Sequence, residues 1–197
     1  MNSQSQNGFT LYEILITLLI VGVVMTLGLP NLTAFTQNSR VTTTANDLLT
    51  SLYLARSEAA RSRTNITVCG SIDAPPLPRV CDGTFNDGWI IFVDTNNPAA
   101  ERDVATENVL RAYPAIDSGL NILTNGGATY FSFAGTGLGR GDVNGTALQA
   151  ARICDDRGNV VVVGNDSSAA RLLIITPIGR GTILRDVAQI AIQGDCP

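Results

Sequence analysis

Glu13 is the one charged residue in an otherwise apolar run, FTLYEILITLLIVGVVMTLGLP, that begins after Gly8 and closes at Pro30. A carboxylate in apolar surroundings costs several kcal/mol unless it is protonated or paired, so its chemistry here is ion pairing, and the partner it calls for is a positive group on a neighbouring copy of such a helix. Four cysteines, Cys69, Cys81, Cys154 and Cys196, all follow the run and contain no CxxC pair. That usage reads as two disulfides in an oxidising compartment rather than as a metal or redox site. The basic residues are thirteen arginines, with no lysine and no histidine, against seventeen acidic residues. Without histidine the chain lacks the base of Ser-His-Asp and Cys-His systems and the commonest zinc ligand. No catalytic residue, metal, cofactor or small-molecule substrate is expected, and the protein is not read as an enzyme. The net charge of −4 argues against a generally basic nucleic-acid binder, while leaving room for a local arginine patch.

The elements that must carry these residues divide at Pro30. A helix over Phe9–Pro30 is about 33 Å long at 1.5 Å per residue, enough to cross a bilayer. After Pro30 the pattern turns amphipathic: Val41, Ala45, Leu48, Leu49, Leu52, Ala55 and Ala59 recur at helical spacing, with polar residues between them. This second half ends near Arg63, and its closing arginines, Arg56, Arg61 and Arg63, read as a solvated helix end complementing the macrodipole. From Thr64 onward short β-type runs are separated by Gly, Asn, Asp and Pro. Strands are expected near 66–69, 89–94, 109–113, 120–123, 129–133, 151–154, 160–163, 172–176 and 183–184, with a last one at 187–192. The fold class is therefore α+β: a long amino-terminal helix, its second half packed on an antiparallel β-sheet domain. Trp89 falls in a strand buried on both faces and reads as core.

The residues GFTLYE, followed by an apolar helix and a proline, resemble the class III leader and first helix of type IV prepilins and pseudopilins. The resemblance implies a leader at 1–8, cleavage after Gly8 by prepilin peptidase, and methylation of the new amino terminus at Phe9. It also implies that Glu13 neutralises the amino-terminal charge of the adjacent subunit and that Pro30 kinks the helix. The leader lacks the basic residue that such leaders usually carry. A second ordered set, Leu54-Ala-Arg-Ser-Glu-Ala-Ala, Thr67-Val-Cys-Gly-Ser, Cys81, Asp87-Gly-Trp-Ile-Ile-Phe-Val-Asp and Val109-Leu-Arg, is similar to the GspH/FimT family of minor pseudopilins and minor pilins. That likeness implies a transmembrane and assembly helix at 9–30 and a periplasmic pilin-like domain at 31–197, including the amphipathic helix 31–63. The implied setting is the inner membrane, crossed once, and then a type IV pilus or type II secretion pseudopilus, with other pilins or pseudopilins as partners. The implied role is to help initiate or cap the assembly.

Four further features bear on loops and ligands. Cys69 to Cys81 would staple the proline-rich loop 74–78, and Cys154 to Cys196 would pin the carboxyl terminus; the two other connectivities stay open. The loop DTNNPAAERD, with Asp94, Asn96, Glu101 and Asp103, lacks the glycine of a calcium loop and reads as an acidic turn. GTGLGRGDVNG, with glycines at 135, 137, 139, 141 and 145, lacks the framing of a phosphate loop and reads as a long hairpin connection. Gly179-Arg180-Gly181, with Arg171 before it and Arg185 after it, is similar to the Gly-Arg-x-Arg motif with which some FimT-type minor pilins hold DNA, but Thr182 stands where the second arginine would fall. The alternative function is accordingly a DNA-binding minor pilin for DNA uptake, with Arg180, Arg185 and Arg171 as candidate contacts.

Overall fold

A computed structural model describes residues 8–72, 79–95, 100–143, 145–162 and 167–196, the side chains at 27–31 excepted. Residues 1–7 of the expected leader, the proline-rich loop 74–78, Asn96 and the side chain of Pro30 lie outside the described residues. The chain forms two compact units, Met1–Ser39 and Arg40–Pro197.

In the first unit, helix α1 (Leu11–Ser62) begins. Thr10 caps it: its carbonyl accepts the Ile14 N–H and its Oγ1 accepts the Glu13 N–H, both at 3.2 Å. The side chains from Phe9 to Met25 are exposed on every side of the helix. Thr17 and Thr26 return their hydroxyls to the carbonyls of Ile14 and Val23, so neither presents an unpaired donor along this apolar surface.

In the second unit α1 is amphipathic. Val41, Ala45, Leu48, Leu52, Ala55 and Ala59, spaced alternately by three and four residues, are all buried. The helix stops at Ser62 because Arg63 takes a left-handed conformation (φ 56°). Two four-stranded antiparallel sheets follow. The first has the order β3-β2-β1-β5, from β1 (Ile66–Gly70), β2 (Trp89–Val93), β3 (Val109–Tyr113) and β5 (Tyr130–Phe133). The second has the order β4-β6-β7-β8, from β4 (Leu120–Thr124), β6 (Ala150–Asp155), β7 (Ser167–Ile175) and β8 (Gly181–Asp186). A short helix, α2 (Val187–Ile192), ends the described fold.

Strand alternation sorts the core into three layers. Val68, Ile91 and Phe133 from the first sheet, and Ile122, Ile153 and Leu173 from the second, share one cluster with the α1 stripe. On the outer face of the first sheet, Cys69, Ile90, Phe92 and Tyr130 meet Ala100 and Ala147 from covering loops. On the outer face of the second, Cys154, Ala170 and Leu172 are roofed by Ile190 of α2. Each disulfide lies in one outer layer: Cys69–Cys81 holds the cover of the first sheet and Cys154–Cys196 that of the second.

Polar groups stitch these layers. The Asn86 side chain donates to the Ile122 carbonyl at 3.3 Å and accepts the Ile122 N–H at 2.6 Å, so an amide from beside the first sheet serves as a ladder partner for the edge strand of the second. Trp89, stacked on Tyr113 at 4.9 Å, donates its indole N–H to Ser51 on α1 at 2.9 Å.

Three expectations change. The segment 187–192 is helical, not extended, because the Asp186 carboxylate accepts the Gln189 N–H and caps a turn. Of 160–163, the described residues form an isolated bridge, Val161 to Ser168, rather than a strand. The glycine-rich stretch is no simple hairpin: it reverses tightly between Phe133 and Gly139, then crosses from β5 in one sheet to β6 in the other.

Ser51→Ala orphans a buried indole N–H and is expected to cost about 1–3 kcal/mol in denaturant unfolding of the full chain, whereas Ser57→Ala on the exposed face changes stability by less than ~0.5 kcal/mol. Replacing Cys154 and Cys196 together by serine opens a 42-residue closure. It is expected to destabilise by about 4 kcal/mol in the chain-entropy account, against about 3 kcal/mol for the shorter Cys69–Cys81 pair. Unfolding midpoints of the two double variants give the comparison.

Candidate functional site

The amino-terminal constellation is set by the start of α1. Gly8 and Phe9 precede the cap, Thr10 is the cap, and Glu13 is the third helical residue. Thr10 is thus a threonine cap with glutamate at the third helical position, the residue types of a capping box, of which the Thr10 Oγ1 half is formed. The Glu13 side chain is exposed among Leu11, Tyr12, Ile14 and Leu15. The arrangement can do one thing chemically: offer an anion, ringed by apolar surface, to a cation brought by another molecule. Among the described residues no helix is long and apolar enough to cross a membrane. Within α1 the side chains at 27–31 lie outside the described residues, and in sequence the apolar run continues there through Leu27 and Leu29.

The three arginines singled out for an anionic partner are not brought to one surface. Arg171 is buried. Its Nη1 donates to the carbonyls of Ser168, Ala169 and Ala170 at 2.9–3.1 Å, and its Nη2 donates to Thr42 Oγ1 of α1 at 3.0 Å. Burial, reinforced by the positive charges of Arg185 and Arg157 and opposed by Asp155, lowers this guanidinium to about 10, so it stays charged at neutral pH. It ties a bulged strand to the helix and is not available to a phosphate. Arg180 and Arg185 are both exposed but sit at the two ends of β8, about 16 Å apart at 3.3 Å per residue.

Arg56 does not belong to a solvated helix end. It is half-buried, and its guanidinium donates to the Gly137 carbonyl at 3.0 Å and to the Gly179 carbonyl at 3.5 Å. One side chain of α1 thus holds the turn after β5 and the β7–β8 turn side by side. Glycine is required at 179, where φ is 75° and an added Cβ would fall 2.3 Å from the Phe133 ring.

The acidic loop after β2 is organised from within. Asp94 is fully buried: its Oδ2 accepts Thr67 Oγ1 at 2.5 Å and the Ala100 N–H at 3.2 Å, and pairs with Arg140 at 3.3 Å. Glu107, also buried, accepts the backbone N–H groups of Thr95 and Asp103. Both carboxylates are thus used to fold their own loops. Among the described residues no group of three His, Cys, Asp or Glu side chains could hold a metal ion. An open groove of about 340 Å³ runs between the sheets, lined by Thr84, Phe85, Ile122, Thr124, Ala128 and Arg152, and it contains no carboxylate.

Comparison with known proteins places this geometry. The family description "Type II transport protein GspH" matches residues 44–179, and "Prokaryotic N-terminal methylation motif" matches residues 3–29. No curated protein sequence matches the chain. Among solved structures, the type IV minor pilin FimU of Pseudomonas aeruginosa is similar in fold, with a TM-score of 0.50 and 19% identity over 78% of this chain and 94% of that one. A second crystal form of FimU gives a TM-score of 0.47 at 19% identity, covering 72% and 90%. The match over 44–179, which takes in the α1 stripe from Ala45 onward, every strand except β8 and the turns held by Arg56, together with the motif ahead of it, shows that the chain belongs to the GspH family, carrying a prepilin-type amino terminus on an α+β pilin fold.

Proposed function

We propose that this chain is a minor pilin or pseudopilin, a structural subunit and not an enzyme, that helps initiate or cap assembly of a type IV pilus or type II secretion pseudopilus. In this reading Phe9–Pro30 crosses the bacterial inner membrane once and 31–197 lies in the periplasm. Prepilin peptidase cuts after Gly8, Phe9 is methylated, and Glu13 then pairs with the amino-terminal charge of a neighbouring subunit. Other pilins or pseudopilins are the partners.

The observation that carries the reading is the start of α1. A capped helix begins three residues after the glycine, and over Leu11–Thr26 it exposes apolar side chains all round, with Glu13 as the one charge of that stretch and with the hydroxyls of Thr17 and Thr26 folded back on the backbone. Such a surface is stable in lipid or against other apolar helices, and a lone carboxylate on it is tolerable only where a cation meets it. The methylation motif at 3–29 supports the same processing.

Mass spectrometry of the membrane-bound chain is expected to give methylated Phe9 as the amino terminus; an unprocessed start, or a cut elsewhere, contradicts the reading. The two roles open to Glu13 separate by substitution. Glu13→Gln keeps a side chain able to cap the helix start yet removes the charge, so both Glu13→Gln and Glu13→Ala should lower incorporation into filaments by roughly tenfold or more, as loss of a desolvated ion pair requires. Normal incorporation of the glutamine variant would show that Glu13 acts as a cap alone.

A further inference from the structure

Each sheet has two outer strands, and three of these four edges are closed to a further strand. On β5 the outward carbonyls of Tyr130 and Ser132 accept the N–H groups of Leu148 and Arg140. On β4 the Asn86 side chain takes both backbone groups of Ile122, and the Leu120 N–H donates to the Asp117 carbonyl. β3 slips register opposite Ile91 and Phe92 and runs into Pro114, two features that blunt an edge.

β8 is left open. At the β7–β8 turn the Thr176 N–H donates to the Arg180 carbonyl at 3.0 Å, which sets the alternation of the ladder. Thr182 and Leu184 therefore turn their backbone groups to Ile174 and Leu172 of β7, and Gly181, Ile183 and Arg185 turn theirs away from the sheet. Tyr53 fits this geometry by donating its hydroxyl to the Gly181 carbonyl at 2.8 Å. The outward N–H and C=O groups of Ile183 and Arg185 have no hydrogen-bond partner among the described residues. The irregularity in the pairing falls on β7, between Ser167 and Leu172, so β8 itself stays straight.

The side chains give this edge a definite character. Ile183 packs on the α1-side cluster and Leu184 on the outer layer under α2, so Arg185 stands on the α1 face and Asp186 on the other. Arg185 is exposed, makes no ion pair among the described residues and lies near enough to the buried Arg171 to oppose its charge. A strand laid along β8 meets an aliphatic centre flanked by a cation on one face and an anion on the other.

We propose that β8 is a docking edge for an extended segment of a different protein, which continues the sheet antiparallel and sets a basic, an acidic, two aliphatic and a polar residue opposite Asp186, Arg185, Leu184, Ile183 and Thr182. Main-chain bonds to Ile183 and Arg185 supply affinity, and the alternate side chains supply selectivity. A second copy does not fit. In an antiparallel pair only residues of like backbone orientation stand opposite each other, so β8 of a copy sets Gly181, Ile183 or Arg185 against Arg185 and never Asp186. The other outer strands, β3, β4 and β5, contain no acid. The inference is independent of the assembly reading, because the edge belongs to the second unit alone.

The test is amide hydrogen exchange, read by NMR, on the full-length chain in detergent micelles, with a synthetic peptide containing Lys-Glu-Val-Val-Thr as the probe. In the chain alone the amides of Thr182 and Leu184 exchange slowly and those of Ile183 and Arg185 fast. With the peptide at millimolar concentration Ile183 and Arg185 should slow by roughly tenfold or more, with Thr182 and Leu184 unchanged. Arg185→Glu should weaken the peptide by about fivefold, and a peptide with lysine in place of its glutamate should restore binding to that variant. Arg185→Pro removes an outward N–H without touching the β7 ladder, so it should abolish binding while Thr182 and Leu184 stay protected. Where the proline disturbs the strand, the charge-reversed pair decides. Unchanged exchange at Ile183 and Arg185, or slowing confined to Leu110 and Ala112 of β3, overturns the proposal. So does slow exchange of the two amides in the chain alone that deepens with its concentration, which puts a second copy on the edge.

Discussion

One stripe of α1 does what no sheet contact does: it closes the inner faces of both sheets at once. Val41, Ala45, Leu48, Leu52, Ala55 and Ala59 form a single cluster with Ile91 and Phe133 on one side and Ile153 and Leu173 on the other. Three of the six are alanines, which lets the backbone of the helix approach the sheets closely. Four polar links run to residues flanking this stripe on the same helix. Ser51 receives the Trp89 indole, Thr42 receives Arg171, Tyr53 reaches Gly181, and Arg56 gathers the two turns. The helix is both the floor of the core and the rack on which the surface turns hang.

The outer faces are covered by less regular means, and that is where covalent links appear. Loops and the six-residue α2 bury too little surface to hold themselves down. Cys69–Cys81 and Cys154–Cys196 each limit the freedom of one cover in the unfolded chain. The buried charges follow the same economy of partners. Asp94 is met at Oδ2 by a hydroxyl, a backbone N–H and Arg140, while its Oδ1 is buried without a hydrogen-bond partner among the described residues; Arg171 is met by three carbonyls and a hydroxyl.

Much of this was legible in the sequence because it is periodic. The α1 stripe and the strands at Ile66, Trp89, Val109 and Leu120 follow from spacing alone, and the prepilin-type amino terminus from an ordered motif. The rest depends on interactions that spacing does not encode. Val187–Ile192 is apolar enough for a strand, and one aspartate cap makes it a helix. Arg171 and Arg180 look equivalent in sequence, yet a strand bulge turns one inward to a cage of carbonyls and leaves the other in solvent. That Arg56 is a clamp requires knowing that two glycine turns, 81 and 123 residues away, arrive at the same place.

These features describe a chain that is complete in its second unit and unsatisfied in its first: the core of 40–197 closes on itself, while the aliphatic surface of 11–25 asks for other molecules. Met25 reports on that surface, being 54% exposed in the isolated chain and the one methionine beyond Gly8. Peroxide converts an accessible methionine to the sulfoxide, so the extent of Met25 oxidation in sheared filaments, set against the denatured chain, measures whether neighbours cover the helix. The account predicts that Met25 stays unoxidised in filaments under exposures that convert it fully in the denatured chain; oxidation at equal rates in the two would contradict it.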